Sequence, residues 1–155
     1  MENFEIKHKK EFMNKLLLSN KFDDFLLKEA VIKTATTFTI DGMENRDFYE
    51  NDEDVIMLEA PYDYVCWSKI KPIILSLIKG KRTPVSMKMT LYLKPDLMES
   101  VLGENMGVTD YLIINLHFNA LGMNITTGIA YKEFTLDKAP DSLWDKYVAL
   151  LLDEA

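Results

Sequence analysis

A chain of 155 residues that is 48% hydrophobic and 28% charged is long enough to bury a sizeable core, and we expect one α+β domain over residues 1–155. Its apolar runs fall far short of the ~20 residues that cross a bilayer, and Met1 is followed by Glu2 and Glu5, so we expect neither a membrane span nor an export signal. A single cysteine, Cys66, excludes an internal disulfide and suits the cytoplasm, where we expect the protein to reside.

The first part of the chain predicts a strand, a helix and a group of strands. Residues 4–6 are a candidate strand, and the apolar positions of residues 8–18 have helical spacing. Residues 25–40 are rich in Thr, Val, Ile and Phe, which predicts one long strand or two shorter ones before a turn at Asp41-Gly42. In the acidic stretch that follows, residues 55–58 are a candidate strand.

A second helix is expected to begin near Ser68, because Pro72 is tolerated best in a first turn, and to end before Gly80 in a left-handed cap. Its apolar positions follow the i, i+3, i+4, i+7, i+8 spacing, and the alternating strand at residues 85–93 should pack against it. The helix positions are Ile70, Ile73, Ile74, Leu77 and Ile78, and the inward strand positions are Val85, Met87, Met89, Leu91 and Leu93.

The last part of the chain predicts a short helix or turn at residues 95–102, a hairpin of strands at 111–118 and 124–134, and a helix from Pro140. We therefore predict a mostly antiparallel sheet with helices packed on one face. The order of elements also suggests two strand–helix–strands halves, since similar Thr-containing segments end near Asp41 and Asp137. Ordinary strand composition explains those segments equally well.

Charge is strongly divided along the sequence, although the net charge is -7. Residues 41–63 are rich in Asp and Glu, with Arg46 as their only base, whereas residues 64–94 contain Lys and Arg and no acid. Such blocks form an electropositive surface for an anion or nucleic acid, or they pair with each other within the fold or between subunits. The sequence leaves both arrangements open.

No residue stands out as catalytic. His8 and His117 lack a motif, and Cys66 beside a tryptophan is most simply a small buried hydrophobe. Residues 79–83 do not form a phosphate loop, because there a helix precedes the glycine and a strand follows it. We predict no catalytic residue, no metal and no cofactor, and enzymatic activity stays open.

Several segments of the chain resemble those of a family of short uncharacterised bacterial proteins, a domain of unknown function, and this resemblance implies no activity. The segments are residues 25–30, 36–42, 77–84 and 134–138. In architecture alone, the predicted order of elements is similar to one domain of a DNA sliding clamp. In clamps the helices line a basic channel while the whole protein is acidic, and here the first two helices carry lysines.

We therefore expect a non-enzymatic binding or scaffold protein that contacts nucleic acid or another polyanion through a basic face. The candidate polyanion-binding residues are Lys9, Lys10, Lys69, Lys71, Lys79, Lys81 and Arg82. The alternative is an enzyme or binding protein for a phosphorylated small molecule, held near Lys79, Lys81, Arg82 and Thr83. We expect a homo-oligomer, because sheet edges need cover and the divided charge suits contacts between subunits, and we expect no membrane contact.

Overall fold

The computed structural model describes residues 1–153. Seven strands from this part of the chain form one antiparallel sheet. The strands are β1 (Asn3–Glu5), β2 (Phe25–Lys33), β3 (Thr37–Asp41), β4 (Val65–Cys66), β5 (Ser86–Leu93), β6 (Thr109–Asn119) and β7 (Gly122–Tyr131). Their order across the sheet is β1-β7-β6-β5-β2-β3, and β4 pairs with the start of β2. Residues 25–40 thus form two strands, which is the second of the predicted alternatives.

The α-helices of the described chain are α1 (Lys9–Leu18), α2 (Glu53–Glu59), α3 (Trp67–Ile78), α4 (Met98–Leu102) and α5 (Ala139–Asp153). Short 3₁₀ turns occur at Arg46–Tyr49, Pro95–Leu97 and Gly103–Asn105. Along the chain, β1, α1, β2 and β3 are followed by β4, α3, β5, β6 and β7, with α2 between the two groups and α4 within the second. The predicted mixed α+β class with an antiparallel sheet is confirmed. No helix within residues 1–153 has the length and apolar character needed to span a bilayer.

The buried core lies between one face of the sheet and the helices. Alternate residues of the four central strands point into it, as the period of two in a half-buried strand requires. The indole N–H of Trp67 donates to Leu16 O at 2.8 Å, and that of Trp144 donates to Ile113 O at 2.9 Å. Both tryptophans are fully buried, so these bonds satisfy the polar atom that each ring carries into the core.

Helix α3 packs chiefly against β2, and Ile74 lies in the core with no exposed surface. Its neighbour Ile73 was predicted to face the core but is 53% exposed. Val85 was also predicted to point inward, but it precedes β5 and is exposed beyond the end of the helix layer. The helix begins one residue before Ser68, and Gly80 has a φ of 147°, outside the left-handed helical region of the predicted cap.

The prediction of a strand at residues 55–58 was wrong, because these residues belong to α2. The Asp52 side chain caps the helix by accepting hydrogen bonds from the amides of Asp54 and Val55 at 3.1 and 3.3 Å. Acidic side chains in the first turn also favour a helix N-terminus electrostatically. The apolar run of this segment is too short to show a helical or strand period, and the N-terminal cap is what favours the helix.

On the other face of the sheet, no helix among the described residues covers the central strands, but this face is not uniformly exposed. Tyr92 alternates with the inward residues of β5 and so points to this face, yet it is buried, because the rings of Tyr64 and Tyr111 cover it at centroid distances of 5.2 and 4.3 Å. Burial is the largest cause that raises the pKa of Tyr111 to about 12, and the nearby carboxylate of Asp63 adds to it. This tyrosine group anchors the connection before α3 onto the sheet.

The N-terminal strand is held by residues from the far end of the chain. Phe4 of β1 lies opposite Ile125 of β7, and the Glu2 amide donates to Thr127 Oγ1 at 2.9 Å. The Thr127 amide donates back to Glu2 O at 3.0 Å. Thr127 is buried, and the bond from the Glu2 amide gives its hydroxyl oxygen a partner. Without a partner, burial of that hydroxyl would cost free energy.

Candidate functional site

The register of the sheet brings several connections together at one end, which we call the basic end. Strand β2 ends there opposite the start of β5, β6 ends there opposite the start of β7, and β1 ends beside β7. The connections that meet at this end are residues 6–8, 34–36, 79–85 and 120–121. They contain Lys7, Lys79, Lys81 and Arg82 and no Asp or Glu.

Helix α1 adds two more cations to this end, because it runs antiparallel to α3 and starts beside the end of that helix. Lys9 and Lys10 line a groove together with Ile78 and Thr83, the residues that flank the 79–82 turn. We call Lys9, Lys10, Lys79, Lys81 and Arg82 the basic cluster. All of its members are exposed.

The groove beside the basic cluster, called here the basic groove, has a volume of about 490 Å³. Its floor is apolar and includes Met13, Ile78 and Phe118, while Lys9 and Lys10 stand at its rim. The Lys9 ammonium lies 6.0 Å from the centre of the Phe118 ring, at the outer limit of a cation–π contact. The groove therefore offers an apolar surface bordered by positive charge.

Within residues 1–153, no Asp or Glu lies within ion-pair distance of Lys79, Lys81 or Arg82. At the 6–8 connection, Glu5, Glu11 and Asp153 line a cleft with Lys7 and His8 and bring carboxylates to the border of the basic end. The field of the 79–82 turn is thus directed to solvent.

The opposite end of the sheet, called here the acidic end, collects most of the carboxylates. The connections at that end are residues 19–24, 42–64, 94–108 and 132–138, because β2 starts there opposite the end of β5 and β7 ends there opposite the start of β6. Their carboxylates are Asp23, Asp24, Glu44, Asp47, Glu50, Asp52, Glu53, Asp54, Glu59, Asp63, Asp96, Glu99, Glu104, Glu133 and Asp137. The fold therefore converts a division of charge along the sequence into a division along the strand direction.

Lys71 was predicted to bind a polyanion and is instead held inside the fold. Its ammonium donates to Asp23 Oδ1 at 2.7 Å and to Ser19 O at 2.8 Å, and its side chain is only 16% exposed. These bonds tie the start of α3 to the connection that follows α1. Lys71 contributes little to any external surface.

Lys69 lies beside the acidic residues of the 42–64 connection. Its ammonium is 3.4 Å from the Tyr49 hydroxyl and 3.9 Å from Glu59 Oε2. Partial burial lowers the pKa of Lys69, but the Tyr49 hydrogen bond and the charges of Glu44 and Glu59 outweigh burial and raise it overall. Here the two charge blocks do pair with each other, as one of the two sequence-based alternatives proposed. The structure therefore groups five of the seven predicted lysines and arginines and separates Lys69 and Lys71 from them.

We expect Lys71→Met to lower the free energy of unfolding by roughly 1–2 kcal/mol, because it removes a charged hydrogen bond that is partly shielded from solvent. Lys79→Met removes the same charge from an exposed position and should change stability by about 0.5 kcal/mol or less. Urea denaturation of both variants measures the difference. Equal effects would mean that the Lys71–Asp23 pair does not stabilise the fold.

The remaining chemical candidates stay apart. His8 precedes α1 on the surface, His117 lies exposed on the uncovered sheet face, and half-buried Cys66 precedes α3. Among the described residues, no three His, Cys, Asp or Glu side chains are arranged to hold a metal ion. The arrangement of the basic cluster suits electrostatic contact with an anion.

Residues 15–155 match the model of a family described as a family of unknown function, DUF5721. The chain belongs to that family. The resemblance predicted from the sequence segments is thereby confirmed. The match begins after Lys9 and Lys10 and includes the rest of the basic cluster. No curated protein and no solved structure matches the chain significantly, so the likeness to a sliding-clamp domain stays a prediction.

Proposed function

We propose that this chain is a non-enzymatic binding protein whose basic cluster contacts the phosphate backbone of a nucleic acid. The observation that carries the proposal is the register that brings Lys9 and Lys10 of α1 beside the 79–82 turn, a connection without a carboxylate. Ammonium and guanidinium groups donate hydrogen bonds to phosphate oxygens and displace the condensed counterions of the nucleic acid. The cluster is small, so such binding is weak and independent of base sequence.

The charge on the rest of the molecule gives this binding an orientation. A net charge of -7 repels a polyanion at most approaches, while the basic end presents positive charge locally. If three to five phosphates are contacted, log K falls with log salt at a slope of about -3 to -4.5 on duplex DNA.

The single cysteine remains the reason for our further proposal that the protein acts in the cytoplasm.

The direct test is charge reversal at the 79–82 turn. Lys81→Glu with Arg82→Glu should weaken binding to unrelated duplex and single-stranded oligonucleotides alike, by roughly tenfold or more, and lower the salt slope by about 2. Fluorescence anisotropy from about 50 to 200 mM salt measures both quantities. Both side chains are exposed, so the fold should be retained.

A matched control reverses two exposed lysines at the acidic end, Lys132→Glu with Lys138→Glu, which changes the net charge equally. This control should keep most of the wild-type affinity if the basic cluster is the binding surface. The proposal fails if the wild-type protein binds no nucleic acid at about 50 mM salt, or if both double variants lose affinity equally.

A phosphorylated small molecule is the second candidate ligand, because Thr83 lines the basic groove with Lys9 and Lys10. The groove volume of about 490 Å³ falls within the range of roughly 300–1,000 Å³ that small-molecule sites occupy. Titration calorimetry with nucleoside triphosphates and sugar phosphates tests this role. Stoichiometric binding that Thr83→Val weakens would favour it over contact with a nucleic-acid backbone.

A further inference from the structure

The acidic segment, residues 41–63, carries a group of apolar side chains that the fold does not cover. Phe48, Met57 and Leu58 are 81%, 75% and 81% exposed. Helix α2 has no buried residue, and it lies against the 3₁₀ turn that carries Phe48. An exposed group of large apolar side chains is typical of an interaction surface, and here it is bordered by carboxylates.

The basic groove has the complementary character. Its floor of Met13, Ile78 and Phe118 is apolar, and its rim carries Lys9 and Lys10. The acidic segment presents apolar side chains between carboxylates such as Asp54 and Glu59. Contact between the two surfaces would bury apolar area on both sides and place opposite charges around it, the arrangement that gives an interface both affinity and orientation.

The two surfaces of one molecule are too far apart to meet. They lie at opposite ends of the sheet, separated by the length of β5, whose eight residues span roughly 25 Å at 3.3 Å per residue. We propose that the acidic segment of one copy docks into the basic groove of a second copy. The contact is heterologous, since two different surfaces meet, so one copy of a pair keeps its basic groove free and the other keeps its acidic segment free.

The choice of a second copy rests on charge complementarity within one sequence. The exposed apolar residues on α2 are flanked by acids, and the apolar groove on the same chain is flanked by bases. The contact does not depend on the proposed nucleic-acid binding. It predicts that a polyanion on the basic cluster and an acidic segment in the groove exclude each other, because Lys9 and Lys10 serve both.

The experiment is sedimentation velocity over micromolar to several hundred micromolar protein, without nucleic acid and at low salt. The wild-type average mass should rise with concentration above the monomer value of 17.9 kDa, and added salt should reduce that rise. Met57→Asp with Leu58→Asp should keep the protein at the monomer mass. The matched control is Phe134→Asp with Leu136→Asp, which adds the same charge at other exposed apolar positions and should associate like the wild type.

A mixture of two defective variants separates a heterologous contact from a symmetric one. Lys9→Glu with Lys10→Glu damages the groove but leaves the acidic segment intact, and it should be monomeric alone. Mixed with the Met57→Asp, Leu58→Asp variant, whose groove is intact, it should form a species of two chains that does not grow further.

Three results overturn the proposal: a wild-type protein that stays at the monomer mass, an acidic-segment variant that associates normally, or a mixture without a two-chain species. If the acidic-segment variant does not fold, the same comparison is made with the groove variant, whose substitutions are exposed. Oligonucleotide binding is measured separately on the acidic-segment variant, which should retain it. Failure of self-docking is thus distinguished from failure of the proposed nucleic-acid binding.

Discussion

Gly42→Ala is expected to destabilise the fold severely, at the upper end of the ~1–3 kcal/mol typical of overpacking or beyond it. A Cβ at position 42 would lie 1.8 Å from Leu27 O and 2.8 Å from Leu27 C, which are both backbone atoms. The Gly42 amide donates to Lys28 O at 2.8 Å, and Gly42 O accepts from the Val65 amide at 2.8 Å. Relief of the clash would therefore break hydrogen bonds on both sides of the residue.

Gly128→Ala is the matched control for that substitution. A Cβ there would meet only the Cβ of Ile113, at an ordinary contact distance of 3.8 Å. We expect its free energy of unfolding to stay within about 0.5 kcal/mol of the wild type. Urea denaturation of both variants decides the matter, and similar behaviour would mean that Gly42 is not confined against β2.

Ile74→Ala should lower the free energy of unfolding by roughly 2–5 kcal/mol, because the side chain is completely buried and its removal leaves a cavity. Ile73→Ala makes the same chemical change at the next residue of α3, where the side chain is 53% exposed. That variant should lose about 1 kcal/mol or less. Equal losses from the two variants in urea denaturation would contradict the observed orientation of α3.

The helices and strands with long regular patterns were predictable from sequence, since each needs only its own period. Helices α1 and α5 and the inward faces of β5 and β6 are examples, with Leu91 and Ile114 buried as alternation requires. The exceptions are Val85, just before β5, and Ile73, in the middle of α3. The apolar stripe of α3 contains Ile73, but the sheet lies under only part of that stripe, and sequence does not give the angle at which a helix meets a sheet.

Gly42 illustrates a second limit of prediction from sequence. The sequence predicts a turn at Asp41-Gly42, and a turn residue needs only local freedom. The actual requirement is the close approach of the Leu27 carbonyl, which belongs to β2 and lies beyond the reach of a local turn pattern. Such a contact arises only once β2, β3 and β4 have paired, so no local pattern indicates it.

The candidate site was predictable in composition but not in arrangement. Lys69, Lys71 and Lys79 belong to one basic stretch of sequence, yet α3 carries the first two near the acidic end and the third to the basic end. A helix of twelve residues advances about 18 Å, which exceeds the screening length of about 8–10 Å at physiological salt. Proximity in sequence therefore did not imply a common electrostatic environment.

The pairing of β1 with β7 limits when the sheet can be completed during synthesis. Glu2 and Thr127 are 125 positions apart and hold each other through reciprocal hydrogen bonds. At a translation rate of about 5–20 residues per second, Glu2 is added to the chain roughly 6–25 s before Thr127. Strand β1 is therefore made before the other six strands of the sheet but can pair with β7 only after most of the described chain has been synthesised, and until then it has no partner strand in this sheet.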